Sequence, residues 1–122
     1  SLVENKICSE KKVALTVLAT VVSTPTKNRA IIDAGSKVLT SDLFGMNDHG
    51  SIVNYPELRI TQLTEEHGTI VSEQNTNLVI GQKIEIIPNH ACVVTNMLNE
   101  VNLITEEKKI KKVKVIARGK VW

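Results

Sequence analysis

The sequence predicts a mainly β protein, a small antiparallel β-barrel or sandwich, on three observations. Val, Ile and Thr dominate it, and these residues suit the pleated surface of a strand. Their runs are short and bounded by Gly, Pro, Asn and charged clusters, and no long helical periodicity separates them. Hydrophobic residues make up 42% and charged residues 23% of 122 positions, which is ordinary globular composition with enough apolar surface for one core.

The expected strands run in order Val13 to Ser23, Arg29 to Ala34, Leu58 to Leu63, Thr69 to Ser72, Lys83 to Ile87, Glu100 to Ile104 and Lys111 to Ala117. Turns are expected at Pro25–Asn28, Asn47–Gly50, Glu65–Gly68, Asn75–Asn77 and Glu106–Lys108, where Gly, Asn, Asp and Pro accept tight backbone geometry. Leu78 to Pro88 reads as a short turn into an alternating strand closed by proline. Leu43 to Tyr55, with Gly45, Asn47, Asp48, Gly50 and Asn54, is the longest irregular stretch and is expected to be a mobile rim. There is no internal repeat or low-complexity tract.

Charge excludes some function classes. Fifteen Lys+Arg against 13 Asp+Glu leave a net charge of +2, with the excess gathered at Lys108, Lys109, Lys111, Lys112 and Lys114. One Trp, one Tyr and one Phe offer almost no stacking platform, so no nucleic-acid partner is expected. Lys112-Val113-Lys114-Val115 alternates as a half-buried strand with a wet, charged outer row, the alternative being a phosphate-binding patch. The longest apolar segment, Val13 to Val22, falls short of a membrane span, and no secretory signal is present. Two distant cysteines, Cys8 and Cys92, are not a disulfide framework, so a reducing cytoplasmic setting is expected.

His90 and Cys92 are the sharpest chemical feature. In an extended segment residues two apart point to one side, roughly 6.5 to 7 Å apart, so an imidazole and a thiolate can share one metal ion; on a helix the same pair would diverge. Those donors suit zinc and leave positions open for water or substrate. The bland alternative is a satisfied histidine at a strand end and an inert buried cysteine. Cys92 as a nucleophile with His90 as base ranks lower, because such neighbours chelate more readily than they align for proton transfer. His67, in Glu65-Glu66-His67-Gly68, is either a third ligand or acid–base group, or simply turn polarity, with Gly68 expected at positive φ. His49, between Asp48 and Gly50, is expected to face solvent. In Asp33-Ala34-Gly35-Ser36-Lys37 a strand ends in a glycine turn, where Ser36 and Lys37 face an anion or merely form the turn. No serine lies in a nucleophile elbow.

Val13 to Ser23, Ile32-Asp33-Ala34-Gly35-Ser36-Lys37, Glu65-Glu66-His67-Gly68, Ile87-Pro88-Asn89-His90-Ala91-Cys92 and Ala117-Arg118-Gly119 together resemble the C-terminal domain of D-threonine aldolases and D-serine dehydratases. The resemblance runs in family order from about Val13 to Trp122. It implies the alanine racemase-like architecture of fold type III pyridoxal-phosphate enzymes, with residues 13–122 as the β domain. Residues 1–12 are then an extension or linker from an α/β barrel domain that carries the Schiff-base lysine. On this reading the domain alone is inactive, and no catalytic lysine is assignable in it.

The same resemblance places His90 and Cys92 at the family's two metal-ligand positions beside the cofactor. His-x-Cys is the dehydratase pattern and goes with zinc, whereas aldolases carry Asp second and use harder ions such as manganese. The implied substrate is a D-β-hydroxy amino acid, and the implied partners are the barrel domain and a second subunit in a homodimer. An amino acid racemase domain, which needs no metal pair, and a free-standing β-barrel binding module are the competing readings. His67, Ser36 and Lys37 are carried as an active-site rim without a defined role. A β domain separated from its barrel is expected to self-associate through the apolar surface left bare.

Overall fold

The structure, a computed structural model, describes residues 9–120. Cys8, Trp122 and most of the expected 1–12 extension lie outside the described residues, and within that extension Glu10–Lys12 form one turn of 3-10 helix. Six strands close into an antiparallel barrel: β1 (Val17–Thr26), β2 (Arg29–Ile32), β3 (Ser51–Ile52), β4 (Arg59–Leu63), β5 (Gly68–Val71) and β6 (Lys83–Ile87). They hydrogen-bond in the order β1-β2-β5-β4-β3-β6, and the β1–β6 pairing from Val17↔Ile86 to Thr20↔Lys83 closes the ring.

Alternation along each strand sends one row of side chains inward. Val17, Ala19, Val21, Ala30, Ile32, Ile52, Ile60, Ile70, Ile84 and Ile86 form the buried core. Small residues stand beside large ones: Ala19 pairs with Ile84 and Ala30 with Ile70, so the narrow interior fills without overlap. Register shifts between Val21 and Ser23 on β1, and between Ile60 and Gln62 on β4, bend the strands as closure demands.

Most expected strands are present with shifted ends, and each shift has a cause. β1 starts at Val17 rather than Val13 because pairing with β6 starts there. It continues through Pro25 to Thr26, leaving only Lys27 and Asn28 as the turn. Pro25 is tolerated because β1 beyond Thr20 has left β6, so its missing N–H breaks no bond there. β2 stops at Ile32, where Asp33 leaves the β5 ladder and its Oδ1 accepts the Thr20 N–H at 2.6 Å. The 43–55 stretch contains β3, only two residues long but required to bridge β4 and β6.

Two helices were not expected. α1 (Ser36–Leu39) and α2 (Ala91–Met97) pack on each other, and their Leu39 and Val94 are buried in the core. No helix among the described residues is long and apolar enough to cross a membrane.

β7 (Glu100–Ile104) and β8 (Ile110–Lys114) form a separate two-stranded sheet. The half-buried strand expected at Lys112–Val115 is corrected here. Only Val101 of β7 and β8 is half-buried, and Leu103, Ile104, Ile110 and Val113 are exposed. A hairpin outside the barrel has no third element among the described residues to cover either face, so alternation alone buries nothing.

Candidate functional site

The backbone around His90 differs from the extended segment assumed from sequence. β6 ends at Ile87, Pro88 is buried, and His90 is the N-cap of α2 with φ −135° and ψ 97°. His90 is therefore extended but Cys92 is already in the first helical turn, so strand spacing does not describe the pair. Val93, Val94 and Thr95 are β-branched and disguise the helix. Burial of Val94 against the core outweighs that preference. The Thr95 hydroxyl folds back to the carbonyls of Ala91 and Cys92 at 2.9 and 3.0 Å. Cys92 is a free, exposed thiol rather than an inert buried one.

His90 is held on one side by the segment that follows α1. Its Nδ1 lies 2.8 Å from Asp42 Oδ2, and its ring lies 4.7 Å from that of Phe44, centroid to centroid, tilted by 38°. Asp42 is fixed in turn: its Oδ1 accepts the Phe44 N–H at 3.0 Å and its own N–H points to Thr40 Oγ1 at 3.4 Å. The hydrogen bond from His90, then that from the Phe44 N–H, holds the Asp42 carboxyl below its usual range. Asn89 ties the same segment down, its Nδ2 donating to the Asp48 carbonyl at 2.6 Å and the Leu43 carbonyl at 3.2 Å. Asp48 is clamped bidentately by Arg59 of β4, both contacts 2.9 Å. A polar recess of about 170 Å³ lies beside Asn89, lined also by Gly45, Asn47, Asp48 and Ser51.

Sequence reasoning missed Asp42 and Phe44. Each is remote in sequence from His90, and nothing in their spacing announces the contact. Among the described residues no three His, Cys, Asp or Glu side chains converge as a metal-holding group.

Ser36, Lys37 and the 64–67 turn meet each other. The Ser36 N–H donates to the Thr64 carbonyl at 2.8 Å and the Lys37 N–H to the Glu65 carbonyl at 3.2 Å. Lys37 also forms an exposed ion pair with Glu66, which raises the pKa of the lysine. That carboxylate already occupies the cation that the sequence suggested for an anion. His67 is exposed, and its backbone N–H and carbonyl serve the turn through Thr64. Gly68 is not at positive φ. It is glycine because a Cβ there would lie 2.8 Å from the Ala34 carbonyl and 3.0 Å from Ile32. His49 is half-buried rather than solvent-facing, with a buried Nδ1 that has no hydrogen-bond partner.

A closed six-stranded barrel with an outlying hairpin and a His-x-Cys helix start defines a class of domain, and comparison with known proteins agrees. Residues 14–104 match the family model described as "Putative serine dehydratase domain", and the chain belongs to that family. A protein of Mycobacterium tuberculosis, itself uncharacterised, is 36% identical over 119 residues, covering 93% of this chain and 90% of its own length. D-serine dehydratase of Dictyostelium discoideum is 33% identical over 117 residues, covering 84% of this chain but 30% of that enzyme. D-threonine aldolase of Filomicrobium marinum superposes with a TM-score of 0.75 at 29% identity, over 88% of this chain and 29% of the enzyme. An alanine racemase-like protein of Idiomarina loihiensis shares the fold, with a TM-score of 0.80 at 22% identity, over 93% of this chain and 34% of that protein. The domain is thus the mainly β, alanine racemase-like C-terminal domain of the D-serine dehydratase and D-threonine aldolase family, and it spans about a third or less of those enzymes.

Proposed function

We propose that this chain supplies the metal-ligating β domain of a metal-activated, pyridoxal-phosphate-dependent lyase acting on D-β-hydroxy amino acids. One observation carries the reading: His90 has its Nδ1 engaged by Asp42, which leaves Nε2 as the free donor, and the exposed thiol of Cys92 stands two residues on. An imidazole nitrogen and a thiolate are donors that zinc takes, and two protein ligands leave positions open. Manganese suits a harder donor set. Bound there, the metal supplies Lewis-acid polarisation of a substrate β-hydroxyl. His90 and Cys92 hold it, and Asp42, Phe44 and Asn89 keep the His90 side of the site in place.

Relatives support the reading. Solved structures of D-threo-3-hydroxyaspartate dehydratase include a histidine-to-alanine variant and a cysteine-to-alanine variant in a metal-free form. Those two positions are two residues apart in that protein, as His90 and Cys92 are here. Pyridoxal phosphate is assigned to an α/β barrel partner, and a cytoplasmic setting keeps Cys92 reduced.

The test is zinc titration of the purified chain by calorimetry, alongside His90→Ala and Cys92→Ala. One zinc per chain is expected, lost in both variants while their circular dichroism stays unchanged. A folded wild-type chain that takes up no zinc sinks the reading. The exposed Leu103, Ile104 and Ile110 of the hairpin suit a surface covered by the barrel or a second subunit. Light scattering is expected to show mass rising with concentration, and a strict monomer at high concentration counts against it.

The mycobacterial relative favours a second reading. Nine-tenths of its length is this domain, which leaves no room for an α/β barrel of roughly 250 residues. A free-standing, non-catalytic β-barrel binding module fits that case. Intact mass of the native protein discriminates: a mass near 13.4 kDa selects the free-standing domain, and one larger by a barrel selects the lyase.

A further inference from the structure

We propose that Asp42 is the positioning residue that makes His90 a metal ligand, by holding its Nδ1 and presenting Nε2. This rests on the metal reading above and goes beyond its two ligands.

Asp42 Oδ2 lies 2.8 Å from His90 Nδ1; a carboxylate only accepts, so in the neutral ring the proton sits on Nδ1 and the lone pair on Nε2. The carboxylate therefore selects the tautomer and fixes the direction of the outward nitrogen, which is what a carboxylate behind a metal-bound histidine does. Asp42 does not act as a third ligand here, because both its carboxylate oxygens are engaged, Oδ2 by His90 Nδ1 and Oδ1 by the Phe44 N–H. Phe44 restrains the imidazole from its ring side, so the ring is held by a hydrogen bond and by packing together.

The carboxylate is itself anchored at several points. Its Oδ1 is taken by the Phe44 N–H. The segment begins at Thr40, whose N–H closes α1 on the Ser36 carbonyl at 3.0 Å. Asn89, the residue before His90, grips Leu43. The Asp42 segment and the His90 segment are thus cross-linked twice, once through side chains and once through Asn89 to backbone. A surface ion pair with no positioning role needs no such second link.

The experiment compares zinc affinity, by competition with a chromophoric chelator, for the wild-type chain, Asp42→Ala, Asp42→Asn and Glu57→Gln. Nitrogen-15 shifts of the His90 imidazole are recorded for each without metal. Asp42→Ala is expected to weaken zinc binding by about 10- to 100-fold and to move His90 from the Nδ1–H tautomer to a mixture. Asp42→Asn keeps an acceptor oxygen and is expected to retain the tautomer with a smaller loss. Glu57→Gln removes an equal charge from an exposed position outside the site and is expected to change neither.

Unchanged affinity in Asp42→Ala, with binding still abolished by His90→Ala, overturns the positioning role and leaves the metal reading standing. Equal losses in Asp42→Asn and Glu57→Gln reduce the effect to general electrostatics and also overturn it. No zinc binding by the wild-type chain removes both together. An Nδ1–H tautomer that persists in Asp42→Ala overturns the orientation claim on its own.

Discussion

Gly35→Ala is expected to destabilise the chain by about 3 kcal/mol, at the upper end of overpacking costs, and to lower Tm by on the order of 10 °C. Gly35 is not at positive φ; its constraint is space. A Cβ built there lies 2.4 Å from the Glu65 carbonyl oxygen and 2.5 Å from that of Thr64. Both obstacles are backbone, so neither can swing aside as a side chain would. Relief requires the start of α1 to lift from the β4–β5 turn, which breaks the Ser36 and Lys37 N–H bonds to Thr64 and Glu65. The same lift carries Thr40, and with it the segment that holds His90. Gly81→Ala is the control: nothing lies within 4 Å of its Cβ, and only its φ of +88° opposes the change, for a cost of about 1–2 kcal/mol. Chemical denaturation of both variants checks the order. A Gly35→Ala chain as stable as wild type refutes the close-approach account.

Cys92→Asp is expected to turn the site from zinc toward manganese, with the ratio of zinc to manganese affinity falling by about tenfold or more. A thiolate is a soft donor and binds zinc strongly; a carboxylate is hard and tolerates manganese. Cys92 is exposed at the start of α2, so a side chain of similar size enters without repacking the core, and the unfolding midpoint is expected to stay near wild type. Competition between the two ions, read by calorimetry, checks it. Undiminished zinc preference in the variant means that Cys92 is not a ligand.

How far the chain was legible follows the range of the interactions involved. Lys83–Ile87 and Glu100–Ile104 coincide with their expected strands, because alternation and flanking turn residues are local signals. The helix at Ala91–Met97 was hidden because Val93-Val94-Thr95 carries strand propensity, and only burial of Val94 in the core cluster that also holds Leu39 decides for helix. Lys112–Val115 shows the converse. Its pattern is that of a half-buried strand, yet burial needs a covering surface, and the pattern cannot say that one exists. Gly68 was correctly singled out but for the wrong constraint, since the carbonyl of Ala34 that crowds it is 34 residues away in sequence.

The sequence by itself determined the mainly β class, the family, and the His90–Cys92 pair as the place to look for a metal, because these rest on residue types and short spacings. Tertiary structure alone decided that the strands close into a ring, that Cys92 begins a helix, and that Asp42 and Phe44 stand against His90. The physical reason is chain separation: Asp42 and His90 lie 48 residues apart. A contact across that distance exists only once β6 has closed the barrel and α1 and α2 have packed, bringing two loops that share no local pattern to hydrogen-bonding distance.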